Sequence, residues 1–368
     1  MRNTLSLLPI LLAACGGGGP ITVVTYNAGL ATGYVPASPE RTPLTAAAVA
    51  ELEADIVCLQ EVWTPTHIEA FDQAADNSFG ERFFPQPMPE RTGVPACEPG
   101  ALDGLLECLD TSCNGVCDDE LIDCVFANCA LDFVFLDNPC MGCVQAEVGG
   151  SLDAVEDACT QGTTSYAYEG AFGTGILSAH PLSGTEEHVF ASTTNRRSVL
   201  HTVADTPAGN IDVYCTHLTA VFDVIPYPRD EGSWEEEQAA QIDDLLAWID
   251  ATASTGLTVL LGDFNTGPEL GDSAAEAEDN WDVLAASGMT APYVDAEGSC
   301  TYCPGNPLNM GDEGDAGRVI DHVLIDGFEG QPSAELVLTD ELEVERCGEP
   351  FTAAYSDHYG VRVTISEP

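Results

Sequence analysis

The sequence predicts an α/β fold carrying a disulfide-rich helical insertion. Three observations support this. Short β-branched or apolar runs recur along the chain and stop on polar side chains. Segments of helical composition separate several of them. One stretch, residues 97–159, holds nine of the fifteen cysteines and no Lys or Arg. The chain has 368 residues, enough for one large domain or two ordinary ones, and 45% hydrophobic content supports a proper core.

Met1 to Cys15 reads as an export signal, occupying residues 1–14. Arg2 supplies the positive start, and Leu5 to Leu12 is an apolar run too short to span a bilayer. Leu12-Ala13-Ala14-Cys15 looks like a bacterial lipobox, with Cys15 as the lipidated first residue and 15–20 as a glycine-rich tether. The expected location is therefore the bacterial cell envelope, membrane-anchored through Cys15, or outside the cell if Cys15 is not lipidated. No other segment is apolar enough to span a membrane.

Ile21 to Asn27 is β-branched and alternating, a strand that ends in Asn27. Residues 43–54 are rich in Ala, Leu and Glu and read as a helix. Asp55 to Glu61 is a second buried strand ending in Glu61. In 97–159 the pieces between cysteines look helical, and Cys113 and Cys117 are spaced as neighbours on one helical face. Disulfides are expected over metal at Cys140-Met141-Gly142-Cys143, because an exported chain favours them. Nine is odd, but Cys300, Cys303 and Cys347 bring the total to twelve and allow full pairing. Cys58 and Cys215 lie in apolar strands and read as buried free thiols.

Strand character returns from Gly170 to Leu182, where Ser178 and His180 either line a site or merely end a strand. Arg196-Arg197, the one adjacent basic pair, meets either phosphate or surface carboxylates. Val199–Val203 and Ile211–Cys215 read as paired strands, the second leading into His217. Ser233 and Glu236 fit a capping box, followed by a helix with Ile242, Leu245, Leu246 and Ile249 on one face. That helix leads to Val259-Leu260-Leu261-Gly262-Asp263-Phe264-Asn265-Thr266. Gly262 permits a close backbone approach. In extended chain Asp263 and Asn265 would point the same way, able to bind a hard cation, hold a phosphate oxygen or orient a water. The acidic loop 311–317 lacks EF-hand spacing and reads as solvated. Val319 to Ile325 carries Asp321 and His322, and Ser356-Asp357-His358 precedes a closing strand at Gly360–Ile365.

All ten basic residues are arginine, and ten against 61 acidic side chains give a net charge of −51. Such a surface repels polyanions at long range and makes nonspecific duplex binding harder. It does not forbid a local phosphate site, since a bound divalent cation can dominate the local field. There is no Gly-x-Ser-x-Gly elbow and no Walker loop. The carboxylates, amides and histidines at strand ends suit metal-assisted hydrolysis of a phosphate ester.

The ordered set Thr25-Tyr26-Asn27, Leu59-Gln60-Glu61, Thr216-His217-Leu218, Gly262-Asp263-Phe264-Asn265, Ile320-Asp321-His322 and Ser356-Asp357-His358 resembles the endonuclease/exonuclease/phosphatase superfamily. That superfamily includes DNase I-like nucleases, exonuclease III-like repair enzymes, bacterial sphingomyelinases and inositol-phosphate phosphatases. The resemblance covers residues 21–365 and implies a four-layer α/β/β/α sandwich of two mixed sheets flanked by helices. It implies Glu61 as the principal Mg²⁺ ligand, with Asn27 and Asp357 completing the metal region and Mn²⁺ or Ca²⁺ as substitutes. Asp263 and Asn265 would position the attacking water and the phosphate. His358, oriented by Asp321, would be the general base or a transition-state stabiliser. His217 would donate to a phosphate oxygen or protonate the leaving group. Residues 97–159 fall outside the common core. The expected substrate is a phosphate ester, either a lipid headgroup or nucleic acid, and no protein partner is expected. The alternative is an inactive surface protein that binds through the insertion.

Overall fold

The structure, a computed structural model, describes residues 19–117, 121–147, 151–164, 166–222, 225–309 and 316–366. The export signal, Cys15 and most of the acidic loop 311–317 lie outside them.

Strand β1 (Ile21–Asn27) has the bounds that its alternation predicts. Helix α1 (Ser38–Ala50) starts earlier than its Ala-rich stretch suggests, with a proline in its first turn, where a missing N–H costs nothing. Then come β2 (Ile56–Gln60), α2 (Pro65–Ala75), β3 (Glu81–Phe83) and β4 (Arg91–Thr92). The insertion follows as α3 (Asp103–Ser112), α4 (Leu121–Cys124), a π-helical turn, α5 (Ala130–Val134), α6 (Asn138–Ala146) and α7 (Leu152–Gln161). After β5 (Thr163–Thr164) the chain forms β6 (Gly175–Ser178), β7 (Leu182–Val189), β8 (Ser198–Thr206) and β9 (Gly209–His217). Helix α8 (Trp234–Thr252) has one half of the expected capping box: Ser233 accepts from the Glu236 N–H. The rest is β10 (Thr258–Asp263), α9 (Glu278–Ala285), α10 (Pro292–Asp295), β11 (Asp321–Asp326), β12 (Pro332–Val337), β13 (Glu341–Arg346), β14 (Glu349–Ala354) and β15 (Gly360–Ile365).

One sheet has the order β12-β15-β1-β2-β6-β3, the other β11-β10-β9-β8-β7. Each contains one parallel pair joined by a helix: β1-α1-β2 and β9-α8-β10. Their inner faces share one apolar core built from residues such as Val23, Ile56, Val213, Val259 and Val361. The outer face of the first sheet packs on α1 and α2, and that of the second on α8 and α9. These are the four layers the resemblance implies.

Cysteine placement corrects two expectations. Cys58 and Cys215 are not free thiols: they form a disulfide between the two sheets, with Cα atoms 5.4 Å apart. Each sits on an inner-facing position of its strand, so the sandwich itself brings the sulfurs together. Cys113 and Cys117 do not share a helix, because α3 stops at Ser112. Instead Cys113 pairs with Cys124, and Cys117 ties the insertion to Cys347 in the β13–β14 turn. Cys97–Cys140, Cys108–Cys129 and Cys143–Cys159 complete the insertion, and Cys300–Cys303 closes a short loop. The fifteenth cysteine is Cys15. Replacing Cys58 and Cys215 together by Ala should cost about 2–5 kcal/mol in denaturant unfolding. Two titratable thiols in the native wild-type protein would overturn the pairing.

Acid should also destabilise the fold through two buried histidines. Burial, then the Arg41 charge, lowers His67 to about 4, and burial lowers His322 to about 4. Both are neutral when folded, so their contribution is complete above pH 6.5 and declines as pH falls toward 4. The loss should be about 2 kcal/mol for each at pH 5. His67 also accepts from the Thr64 N–H as the third helical residue of α2, a place where Gln serves equally well. His67→Gln should therefore shrink the drop in melting temperature between pH 7 and pH 5. An unchanged drop would mean that His67 is not part of the acid response.

Candidate active site

The sheet topology gathers the polar strand ends at one rim. The parallel pairs β1/β2 and β9/β10 all run toward it, so Asn27, Gln60, His217 and Asp263 finish there. The antiparallel neighbours start there: β11 at Asp321, β15 just after His358. In register, His217 lies opposite Asp263 and Asp263 opposite Asp321, so the three project side by side. They continue the inward-facing series of Cys215, Leu261 and Val323. Asn27 continues the series of Val23 in the facing sheet and meets them across the interface. Its Nδ2 donates to Asp263 Oδ2 at 2.8 Å.

Two site residues depart from strand alternation. Glu61 follows β2 with φ 59° and Asn265 follows β10 with φ 50°, both left-handed. A continued strand would send Glu61 to the helix-packed side with Val57 and Leu59. The left-handed turn instead places its carboxylate in the pocket. Likewise Asp263 and Asn265 do not point the same way as extended chain would have them. Asn265 donates its N–H to Asp263 Oδ1 at 2.9 Å and its Nδ2 to the Leu218 carbonyl at 3.1 Å. This is the Asx turn that the sequence also allows.

A pocket of about 380 Å³ opens at this rim, lined by Glu61, Arg197, His217, Asp263, Asp357 and His358 among others. Asn27 and Asp321 stand behind it as partners of Asp263 and His358. His358 Nδ1–H donates to Asp321 Oδ2 at 2.9 Å and lies 3.9 Å from Asp263 Oδ2. Burial opposes a charge on His358, but Asp321, Asp357 and Asp263 outweigh it and hold the imidazole well above its usual range. His217 has the opposite environment: burial, Arg197 and His358 push it well below 6.5. Its Nε2 is 3.5 Å from Asp263 Oδ2. Burial and the Asp321 charge raise Asp263 to about 7, while His358, Asn27 and the Asn265 amide pull back.

Glu61 is raised by burial and then by Asp357, with His358, Arg197 and Asn27 opposing. Its Oε2 is buried with no hydrogen-bond partner. Two carboxylates held close enough to repel, one with an orphaned oxygen, fit a hard divalent cation. Asn27 fits a supporting place there: its Oδ1 accepts from Gly29 and keeps a second lone pair. Asp263, Asp321 and His358 also place one donor atom each within 4.8 Å of one another. Ligation by His358 Nδ1 would, however, break its bond to Asp321. That trio reads better as a hydrogen-bonded chain.

The loops are pinned from behind by groups with no sequence signature. Arg41 is fully buried; it donates to the Pro36, Ala28 and Gly29 carbonyls and, at 2.8 Å, to that of Tyr355. It thus fastens the loop after Asn27 to the loop before Asp357. Gly29 has φ 55°, and a Cβ there would meet Asp357 Oδ1 at 2.1 Å. Gly262 permits the close approach expected of it, since a Cβ would stand 2.5 Å from the Thr216 carbonyl. Gln238 on α8 holds the Thr219 and Asn265 carbonyls at 2.7 and 2.8 Å. Asn306 and Asn309 hold those of Ser356 and Asp357.

The arginine pair divides. Arg196 binds the Met88 carbonyl and Glu90 and covers Tyr166. Arg197 is buried in the pocket wall, 5.8 Å above the Trp63 ring, with Nη1 unpartnered. Burial lowers it to about 10, so it stays charged at neutral pH. Ser178 and His180 are remote: Ser178 pairs with Ile56 at the opposite end of β2, and His180 bonds Asp55 at 2.7 Å. Theirs is the strand-end role.

The sequence profile of the Endonuclease/Exonuclease/phosphatase family matches residues 24–358. No curated protein matches the sequence. Among solved structures, SmcL is similar with a TM-score of 0.58 at 12% identity, over 94% of this chain and 99% of that one. Sphingomyelinase C from Streptomyces griseocarneus follows with 0.56 at 15%, over 94% and 99%. A mutant beta toxin from Staphylococcus aureus with bound magnesium ions gives 0.55 at 12%, over 95% and 100%. These likenesses concern the fold.

Proposed function

We propose a reaction from one premise: the chain belongs to the endonuclease/exonuclease/phosphatase family. The reaction is divalent-metal-dependent hydrolysis of a phosphodiester. The single observation that carries it is the convergence of five motif segments on one pocket, with the sixth behind it through the Asn27–Asp263 bond, and with neutral His217, charged Arg197 and carboxylate-held His358 around Asp263.

Glu61 and Asp357, supported by Asn27, would hold the cation. Mg²⁺ suits that oxygen donor set, and when bound it would offset phosphate charge. Asp263 takes a proton from water, and the water oxygen forms the new P–O bond. The opposite P–O bond breaks and the departing oxygen picks up a proton from solvent. Asn27 Nδ2 and the Asn265 N–H fix the two oxygens of Asp263 and set its direction. His358, already protonated through its carboxylate neighbours, serves as a charged hydrogen-bond donor to the phosphoryl group. This supports transition-state stabilisation over general base as the role of this residue. His217 is neutral, so it donates a hydrogen bond and is a poor proton source for the leaving group. Arg197 adds a fixed positive charge.

Hydrolysis of bis-p-nitrophenyl phosphate with Mg²⁺, and its loss in EDTA, tests the reading. Arg197→Met should lower kcat/KM by roughly 100-fold, the effect of losing one charged donor at a developing oxyanion. Equal rates with and without EDTA, or no hydrolysis with any divalent metal, would overturn the proposal.

A further inference from the structure

The insertion forms most of the wall of a second, partly open cavity of about 330 Å³ beside the catalytic pocket, with Thr32, Tyr34 and Ile225 of the core completing it. Its walls are apolar, among them Leu105, Leu109, Val125, Phe133 and Val155, and Glu147 is the one charged side chain among the described lining residues. The two spaces share Tyr34, Gln145 and Ile225 as walls. A partly open apolar recess of this size fits a ligand site, since such sites are concave and lined mainly by hydrophobic side chains. Four disulfides within the insertion fasten the segments around it.

From this adjacency we propose that the cavity takes the hydrocarbon tail of the phosphodiester substrate. The assignment rests on the phosphodiesterase reading above and names its substrate class: an amphiphile with one alkyl chain near its phosphate. The space is ample for one alkyl chain. The absence of Lys and Arg from residues 97–159 and the net charge of −51 oppose an anionic surface and favour a zwitterionic amphiphile.

The test is a series of p-nitrophenyl alkyl phosphates with methyl, butyl, octyl and dodecyl chains, kept below their micellar concentrations. kcat/KM should rise at least about tenfold from methyl to octyl, a small share of what burying seven added methylenes can supply, and level off near dodecyl. In Val125→Trp, which fills the cavity, the octyl-to-methyl ratio should fall to near one. Leu152→Trp provides a second filling variant if the first does not fold, with near-ultraviolet circular dichroism as the check. A flat series in wild-type enzyme that hydrolyses the methyl ester overturns the tail site and leaves the phosphodiesterase reading standing. No hydrolysis of any member sinks that reading itself. Nicking of plasmid DNA at a kcat/KM above that of the octyl ester also overturns the tail site. Lysophosphatidylcholine monomers and phosphatidylcholine vesicles then distinguish a free single-chain amphiphile from a chain drawn out of a bilayer, and hydrolysis of either supports the assignment.

Discussion

Asp263→Asn should lower kcat for phosphodiester hydrolysis by about three orders of magnitude, within the range of a lost general base. The substitution is nearly isosteric. The Asn265 N–H can still donate to the new carbonyl oxygen, while Asn27, whose Oδ1 is held by the Gly29 N–H, loses its one bond to residue 263. What disappears is a carboxylate able to take a proton. The two histidines within reach do not replace it. His358 is held protonated by Asp321, Asp357 and Asp263, and His217 is held neutral by burial beside Arg197 and His358. The His217 lone pair gives the variant at most a poor base. Divalent-cation binding by calorimetry should persist, because Glu61 and Asp357 are untouched. A variant with wild-type kcat would place the base elsewhere. A variant that loses both activity and cation binding would move Asp263 into the metal set.

The rim was legible in the sequence because strands announce themselves. Ile21–Asn27 and Gly360–Ile365 have their expected bounds, and each places a polar residue where a buried run stops. Once two sheets are stacked, such ends meet with no further information. Local pattern misleads where tertiary contact overrides it. Asp263 and Asn265 were expected on one side by alternation, but Asn265 turns left-handed to satisfy the Leu218 carbonyl. Cys58 and Cys215 looked like isolated apolar thiols because nothing local shows that their strands face each other across the sandwich. Arg41, Gln238, Asn306 and Asn309 carry no sequence signature for the same reason. Each serves carbonyls far away in sequence, and a polar residue in a helix or loop carries no local mark of such a partner. Arg197 was half visible: the pair Arg196-Arg197 stood out, but only burial shows which of the two enters the pocket.

Glu61→Gln should act in two directions at once. Without metal, the variant should melt at a higher temperature than wild type. Burial and the neighbouring Asp357 charge both oppose an ionised Glu61, and a neutral amide removes that penalty while keeping shape and hydrogen-bonding capacity. With metal, the order should reverse. A cation that binds only the folded state stabilises it by RT ln(1 + [L]/Kd), about 2.7 kcal/mol at a hundred times Kd. Wild type should gain that increment, and Glu61→Gln should gain little or none. Hydrolysis should fall by roughly three orders of magnitude or more, since the ion that offsets phosphate charge is no longer held. The left-handed backbone at Glu61 adds a second source of instability. A non-glycine residue there costs on the order of 1–2 kcal/mol, and such strain persists when the side chain it aims is needed. Glu61→Gly would relieve the same strain, so both variants should be more stable than wild type without metal and inactive with it. If Mg²⁺ raises the melting temperature of Glu61→Gln as much as that of wild type, Glu61 does not hold the ion. The Asp263, Asp321 and His358 trio would then be the site to test, with Asp321→Asn as the next variant.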